Sequence, residues 1–438
     1  MAFVHSQSCE CTKSELDLFA IPPTQTSIES SGYVEYNPIS AIADGTPIEF
    51  HIGGAGQDYI DLANSQLFVR ASIVMAEGTP INDQPVAPVN LFLHSLFTEV
   101  DLKLNDTLVT STNNTYPYRA YLETLLTYGP GAKESQLSCA LFYKDAAFHM
   151  AEAIPRAENV RNMGLVQRHG HINEGMDMVG RINADLFFQD KYLPSDIGLR
   201  LRLVRSKSSF ALMSSANAAT FGVKIRECKF YVRKVRLSPS VFLAHAKAME
   251  VGNAKYPIRP VVCKTFTIPT GNLDFSQENL FSGQLPTRLV LTCVDNDTFN
   301  GSYRKNPFNF KHYSLTQLKV YLDGQQQHHV LPIETNYNEN KYIMAYSTLF
   351  SGTGKLNRDE GNQVTRRDFP GGYAIYAFDL TPDLAEPDHF NLIKDVSVRI
   401  DMKFANALPN TINVIAYAEF ENVIEIDRSR NVIFDYRN

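Results

Sequence analysis

Apolar and polar positions alternate along five stretches of this 438-residue chain: residues 65–74, 98–104, 199–204, 317–322 and 396–404. Period-two alternation of Val, Ile, Leu, Phe and Tyr with polar residues predicts strands with one face buried and one in water. Clusters of Gly, Pro, Asn and Asp separate them, and Asn105-Asp106 and Asp323-Gly324 read as tight turns. Helical spacing is rare. Tyr118, Tyr121, Leu122 and Leu125 recur at i, i+3, i+4 and i+7. They predict a helix over 118–126 with Thr115 as cap, Pro117 in the first turn and Gly129-Pro130 as the stop. A second helix is expected from Ser238-Pro239 to Gly252, docking between or beneath two domains through a buried stripe of Val241, Phe242, Ala246 and Met249. Sparse helices among many strands predict an all-β sandwich class.

The order of these stretches repeats. Residues 67–73 resemble 285–292, and 98–106 resemble 316–324. Each of the latter pair is followed by an Asn- and Tyr-rich turn and an aromatic segment, from 114 and from 335. Then 180–186 match 373–380, and 196–202 match 395–401. Five weak similarities in one order predict a duplicated domain rather than a solenoid. The expected organisation is an N-terminal arm over 1–32, a first β domain over 33–237, a connecting helix and linker over 238–256, and a second β domain with the C-terminal tail over 257–438.

Composition changes the picture little. Hydrophobic residues make up 44% and charged ones 20%, which excludes wholesale disorder. No run approaches the ~18 apolar residues of a membrane-spanning helix, so no membrane insertion is expected. Residues 1–20 carry Glu10, Glu15 and Asp17 with no apolar h-region, so no secretory signal is expected. The six cysteines then read as reduced thiols, and the sequons at Asn105, Asn113, Asn296 and Asn300 as chance matches.

Charge is more informative. The net of −6 argues against a general nucleic-acid binder. Residues 1–45 hold six acids against Lys13, a net of −5, whereas 199–236 hold ten Lys or Arg against one Glu, a net of +9. Arg200 and Arg202 alternate with leucines, and Lys224 and Arg226 flank Ile225, so basic side chains line the polar face of two strands. If those faces adjoin, something anionic must lie opposite. The acidic arm of this or a neighbouring chain is the simpler partner, because both charge sets belong to one polypeptide; packaged DNA is the other.

No motif carries enzymatic chemistry. The Ser351-Gly-Thr-Gly-Lys355 run lacks the first P-loop glycine, replaced by Leu349, and has Leu356 where a hydroxyl should hold Mg²⁺. His169 and His171, the pair His328-His329 and the pair Cys9 and Cys11 lack the spacing of a four-ligand metal set. There is no G-x-S-x-G elbow. The glycines of residues 51–56 read as a turn or bulge. No catalytic residue, metal or cofactor is expected.

Four stretches together resemble a known family. They are Tyr33-Val-Glu-Tyr-Asn-Pro-Ile-Ser40 through Asp44-Gly-Thr-Pro-Ile-Glu-Phe50 and Asp58-Tyr-Ile-Asp-Leu62; Pro88-Val-Asn-Leu-Phe-Leu-His-Ser-Leu-Phe97 with Asn113-Asn-Thr-Tyr-Pro-Tyr-Arg-Ala-Tyr-Leu-Glu-Thr-Leu125; Leu237-Ser-Pro-Ser-Val-Phe-Leu-Ala-His-Ala246 with Lys255-Tyr-Pro257; and Phe378-Asp-Leu-Thr-Pro-Asp383. The chain resembles the double jelly-roll major capsid proteins of Polinton (Maverick) elements and adintoviruses. The resemblance implies two tandem eight-stranded jelly rolls, a hexon-like trimer of pseudo-hexagonal outline, and an icosahedral shell. It also implies a virion location with penton and minor capsid proteins as partners. Two alternatives belong to other classes: a jelly-roll scaffold used transiently in virion assembly, and a double jelly-roll hydrolase of glycans or glycopeptides. The hydrolase would need a cleft of carboxylates or aromatics between the domains and an export signal.

Overall fold

Strand follows strand because short β-rich runs are cut by turn residues every few positions, and each run must bury one face. The computed structural model describes residues 4–54, 56–75, 77–81, 84–155, 161–172, 175–216, 220–281, 283–326, 333–384 and 389–434. The N-terminal part contains β1 (Ile28–Tyr36), β2 (Ile48–Ile52), β3 (Asp58–Met75), β4 (Val86–Pro88), β5 (Phe97–Leu104), β6 (Thr107–Thr110), β7 (Met176–Gly180), β8 (Leu199–Arg205), β9 (Leu212–Ser214) and β10 (Phe221–Leu237). Helices α1 (Phe92–Ser95), α2 (Tyr116–Thr127), α3 (Pro130–Glu134), α4 (Met163–Gly170) and α5 (Ser208–Ala211) interrupt them, and α6 (Pro239–Ala248) follows. The remainder holds β11 (Ala254–Ile258), β12 (Val261–Ile268), β13 (Asp274–Gln277), β14 (Arg288–Asp295), β15 (Leu315–Leu322), β16 (Gln325–Gln326), β17 (Ile333–Glu334), β18 (Ile375–Asp379), β19 (Val398–Phe404), β20 (Ile412–Glu419), β21 (Asn422–Ile426) and β22 (Val432–Ile433). Helices α7 (Asn296–Asn300) and α8 (Ile343–Ser351) belong to this part.

Two sandwiches of one topology result. In the first, β1-β10-β3-β7 faces β2-β8-β5-β6; in the second, β12-β20-β14-β18 faces β13-β19-β15-β16, with β17 also on β15. All these pairings are antiparallel. Strands adjacent in sequence mostly cross to the opposite sheet, which is the jelly-roll arrangement. The matched sequence stretches fall on equivalent strands: β3 with β14, β5 with β15, β7 with β18, and β8 with β19. The β5–β6 turn places Asn105 at φ 50°, and the β15–β16 turn places Asp323 and Gly324 at φ 48° and 77°. Asn, Asp and Gly supply this left-handed region at least cost.

The two sandwiches differ in how their sheets meet water. In β3, Leu67, Val69, Ala71 and Ile73 point inward while Arg70 and Ser72 point out. In β14, β18 and β20 nearly every residue is buried, so that sheet is covered on both faces.

Helix α2 starts after Thr115 with Pro117 in its first turn, and it ends before Gly129. Helix α6 departs from the sequence reading. It lies on the surface of the first sandwich, where Phe242 and Val241 pack half-buried against Tyr59, Val235 and Leu237. Phe242 meets Tyr59 edge-on at 6.4 Å, and His245 Nδ1 lies 3.1 Å from the Tyr59 hydroxyl. Met249 is buried but Ala246 is exposed, so the expected four-residue buried stripe is not present. Alanines at 244, 246 and 248 give the helix an apolar composition with little area to hide, which is why the spacing misled.

The ends also differ from the expected organisation. Strand β1 begins at Ile28, inside the segment expected to be arm, and residues 4–27 lie outside both sandwiches. The C-terminal tail pairs with the linker in a separate sheet, β11-β21-β22. It reaches the first sandwich, where Asn105 Nδ2 donates to the Arg430 carbonyl at 2.8 Å. Because Phe242 is only half-buried, Phe242→Ala is expected to cost about 1–2 kcal/mol, below the ~3–5 kcal/mol of a full core site. Urea denaturation measures the difference.

Candidate functional site

The chemistry-bearing residues gather where the two jelly rolls meet. Helix α2 belongs to the first roll but is buried on nearly all sides, because its tyrosines pack both on first-roll rings (His94, Phe142, Phe210) and on second-roll rings (Phe299, Phe308, Phe310). Tyr121 stacks on Phe308 at 4.1 Å and 8°, and Tyr118 on Phe299 at 5.7 Å. The last carbonyls of a helix lack intrahelical partners and carry the negative end of its dipole. Here lysines take them. Lys133 Nζ donates to the Leu125 and Asn362 carbonyls, each at 2.6 Å, and Lys355 Nζ to the Thr127 carbonyl at 2.7 Å. Asn362 and Lys355 come from the second roll, so the end of α2 is closed across the seam.

Two buried ion pairs flank the helix. Arg119 meets Asp185 at 2.5 Å and Glu123 at 2.9 Å. Asp185 also accepts from Thr110 Oγ1 at 3.0 Å and from the Val261 amide, the first residue of β12, at 3.1 Å. Asp145 Oδ1 accepts from Arg168 at 2.7 Å and Asn162 at 2.9 Å, and its Oδ2 from Asn306 at 3.0 Å. Arg168 also donates to the Pro88 and Tyr143 carbonyls at 2.8 and 2.6 Å, and Tyr373 donates to the Asp145 carbonyl at 2.6 Å. Asn306 and Tyr373 are second-roll residues.

A cleft of about 730 Å³ opens beside Arg119, between α2, the linker and β20. Carboxylates line it, as the hydrolase alternative requires. Burial raises the Glu123 pKa against the pull of Arg119. Yet Glu123 and Asp185 are held by Arg119, and Glu419 by Arg288 at 2.9 Å, so these three are tied as ion-pair partners.

The basic stretch is not a single surface. Strands β8 and β10 lie in opposite sheets, so the outer face carrying Arg200 and Arg202 and that carrying Lys224 and Arg226 point apart. The condition that the two faces adjoin is therefore not met. Half of the stretch's ten cations form ion pairs within the chain. Arg202 pairs with Asp101 at 2.9 Å, Lys229 with Glu35 at 3.0 Å, Arg233 with Asp61 at 2.7 Å and Arg236 with Asp58 at 2.9 Å; Arg205 pairs with Asp44. Arg226 donates to Ser72 Oγ at 2.9 Å. Arg200 and Lys224 are exposed and make no ion pair among the described residues. Of the six acids in 1–45, Glu35 and Asp44 reach this stretch, while Glu15 pairs locally with Lys13.

His169, His171 and the glycine run at 351–355 have structural contacts. His169 Nδ1 lies 2.7 Å from the Val86 carbonyl, and His171 Nε2 lies 2.9 Å from the Tyr143 hydroxyl. Residues 351–355 form the end of α8 and its turn, where a Cβ at Gly352 would lie 2.3 Å from the Ala377 carbonyl. His328 and His329 lie outside the described residues, as does Ala55 of the 51–56 run. Among the described residues no cluster of His, Cys, Asp or Glu could hold a metal ion, and no helix is long and apolar enough to cross a membrane.

Alternation alone did not point to this seam. The signal that could have found it is the set of nearly continuous apolar runs at 289–294, broken by Thr292, at 374–378, and at 414–418, which mark strands buried on both faces.

Two stability predictions follow from the buried groups. Asp145→Ala leaves the Arg168 guanidinium without its carboxylate and should cost about 3–5 kcal/mol in chemical denaturation. His94 is buried 2.8 Å from the Tyr116 hydroxyl, and burial pushes its pKa down to about 3. Below its ordinary value of about 6.5 the unfolded chain takes up the proton first, so stability should fall as pH drops from 6.5 towards 3. Burial, with Lys355 and Lys144 nearby, lowers Lys133 to about 7, which makes stability rise further from pH 7 towards the ordinary lysine value. Thermal midpoints at pH 5, 7 and 9 should therefore increase in that order, and His94→Gln should flatten the acid limb.

No family model matches the chain. An uncharacterised protein of Caenorhabditis elegans is 27% identical over 429 residues, covering 95% of this chain and 99% of that protein. A chain of the Sputnik virophage superposes with a TM-score of 0.64 at 10% identity, covering 100% of this chain and 95% of its own. The Faustovirus major capsid protein gives 0.57 at 9% identity, with 96% and 93% covered. The mavirus major capsid protein gives 0.54 at 10% identity, with 99% and 97% covered. The fold of this chain is thus the double jelly roll of these viral major capsid proteins.

Proposed function

We propose that the chain is the major capsid protein of a Polinton- or adintovirus-like element. Three copies form a pseudo-hexagonal capsomer, and capsomers tile an icosahedral shell together with penton and minor capsid proteins. The role is structural and non-enzymatic, exercised in the virion. The observation that carries this reading is the double sandwich itself, which matches viral capsid chains over almost the full length of both partners. A full-length relative in a nematode fits an element carried in animal genomes.

The mechanism is geometric. Two copies of one fold in each chain let three chains present six similar edges to their neighbours. The seam holds each pair of rolls in one orientation, and the loops between strands supply contacts. Residues 4–27 act as an arm that ties capsomers together, ordered on assembly at a backbone entropy of ~1–2 kcal/mol per residue. Packaged DNA lies inside the shell. Among the described residues Arg200, Lys207, Lys224, Arg226 and Lys234 of the basic stretch make no ion pair, and the exposed Arg200 and Lys224, on opposite faces, are its cations towards an anionic neighbour.

Size-exclusion chromatography with light scattering on the purified chain tests this. The expected mass is roughly three times 49.2 kDa at micromolar concentration. Removing residues 1–27 should leave the trimer intact and weaken shell formation. A monomer or dimer would contradict the proposal.

A further inference from the structure

The seam cleft and the N-terminal arm each lack a partner. In the cleft wall, Arg119 is fully buried and two of its nitrogens serve Glu123 and Asp185, while its Nη1 has no hydrogen-bond partner. At the mouth, Arg259 is exposed and makes no ion pair among the described residues. Phe188 and Phe390 line the cleft with their rings 43% and 53% exposed. Because Arg119 is already neutralised, its free donor suits a neutral acceptor such as a peptide carbonyl. Because Arg259 is not, it suits a carboxylate. A space of about 730 Å³ is large enough for a short peptide segment.

The arm has the complementary chemistry. Leu16, Leu18, Phe19 and Ile21 are between 68% and 94% exposed, an apolar set that the described residues of its own chain leave uncovered. Asp17 sits among them, and among the described residues its carboxylate accepts only from the Ala20 amide, at 3.2 Å. Large apolar groups concentrated in so short an exposed segment mark an interaction site.

We propose that the cleft at the seam is the docking site for the N-terminal arm of a neighbouring copy. Leu18 and Phe19 pack between Phe188 and Phe390, an arm carbonyl accepts from Arg119 Nη1, and Asp17 meets Arg259. One arm and one cleft per chain make a heterologous contact, which propagates from copy to copy across a lattice or closes into a ring. The proposal rests on the capsid reading, since it needs copies in contact.

The test uses the full-length chain with a photoreactive benzoyl-phenylalanine at position 19, mixed with an equal amount of isotope-labelled chain. The sample is irradiated at a concentration where light scattering shows assembly, and cross-linked peptides are mapped by mass spectrometry. Docking predicts cross-links between differently labelled chains, landing on peptides that contain Phe188, Arg259 or Phe390. The double variant Phe390→Ala, Arg259→Glu should lower their yield roughly tenfold with unchanged circular dichroism and trimer mass. Cross-links within one chain, cross-links elsewhere, or a yield insensitive to the variant would overturn the docking while leaving the capsid reading in place. A chain that stays monomeric would overturn both.

Discussion

A carboxylate and a guanidinium buried together, Asp145 and Arg168, set the terms on which the two jelly rolls meet. Taking such a pair out of water costs several kcal/mol per ion unless every lone pair and proton finds a partner. The partners come from both rolls: Asn162, Pro88 and Tyr143 from the first, Asn306 and Tyr373 from the second. A shift of one roll against the other would strand these groups. The Arg119–Asp185 pair imposes the same condition on the opposite side of α2, through the β12 amide at Val261. Between the two pairs, stacked tyrosines and phenylalanines supply apolar burial. The aromatic contacts favour association, and the polar groups fix its geometry.

In the proposed capsid role that constraint has a use: a shell is assembled by repeating contacts, so each chain must present its surfaces at fixed angles. There the seam supplies the fixed angle, and the exposed arm supplies reach. Half of the cations in the basic stretch are paired with acids elsewhere in the chain, such as Arg202 with Asp101, which lowers the repulsion between like surfaces.

Much of the fold was legible in the sequence because its signals are local. Alternation marked β3, β5, β8, β15 and β19, turn residues marked the two equivalent hairpins, and spacing marked α2. Their repeated order disclosed the duplication. The doubly buried sheet was less legible, since the middle of β20, residues 414–418, is a continuous apolar run with no period to detect. The basic stretch was hard to read for a topological reason: β8 and β10 are close in sequence but lie in opposite sheets, and their acidic partners include residues of distant strands, such as Asp101 and Asp58. Helix α6 misled because alanine satisfies an apolar pattern without needing burial, leaving Ala246 in water. The seam itself depends on contacts between residues more than a hundred positions apart, such as Asp145 and Asn306, which no local pattern encodes.

The central claim is that the seam makes the two jelly rolls one unit, and calorimetry tests it most directly. Scanning the purified chain through unfolding should give a single transition whose calorimetric and van't Hoff enthalpies agree for the full-length chain. Two resolved transitions, one for each roll, would show that the buried pairs do not couple them.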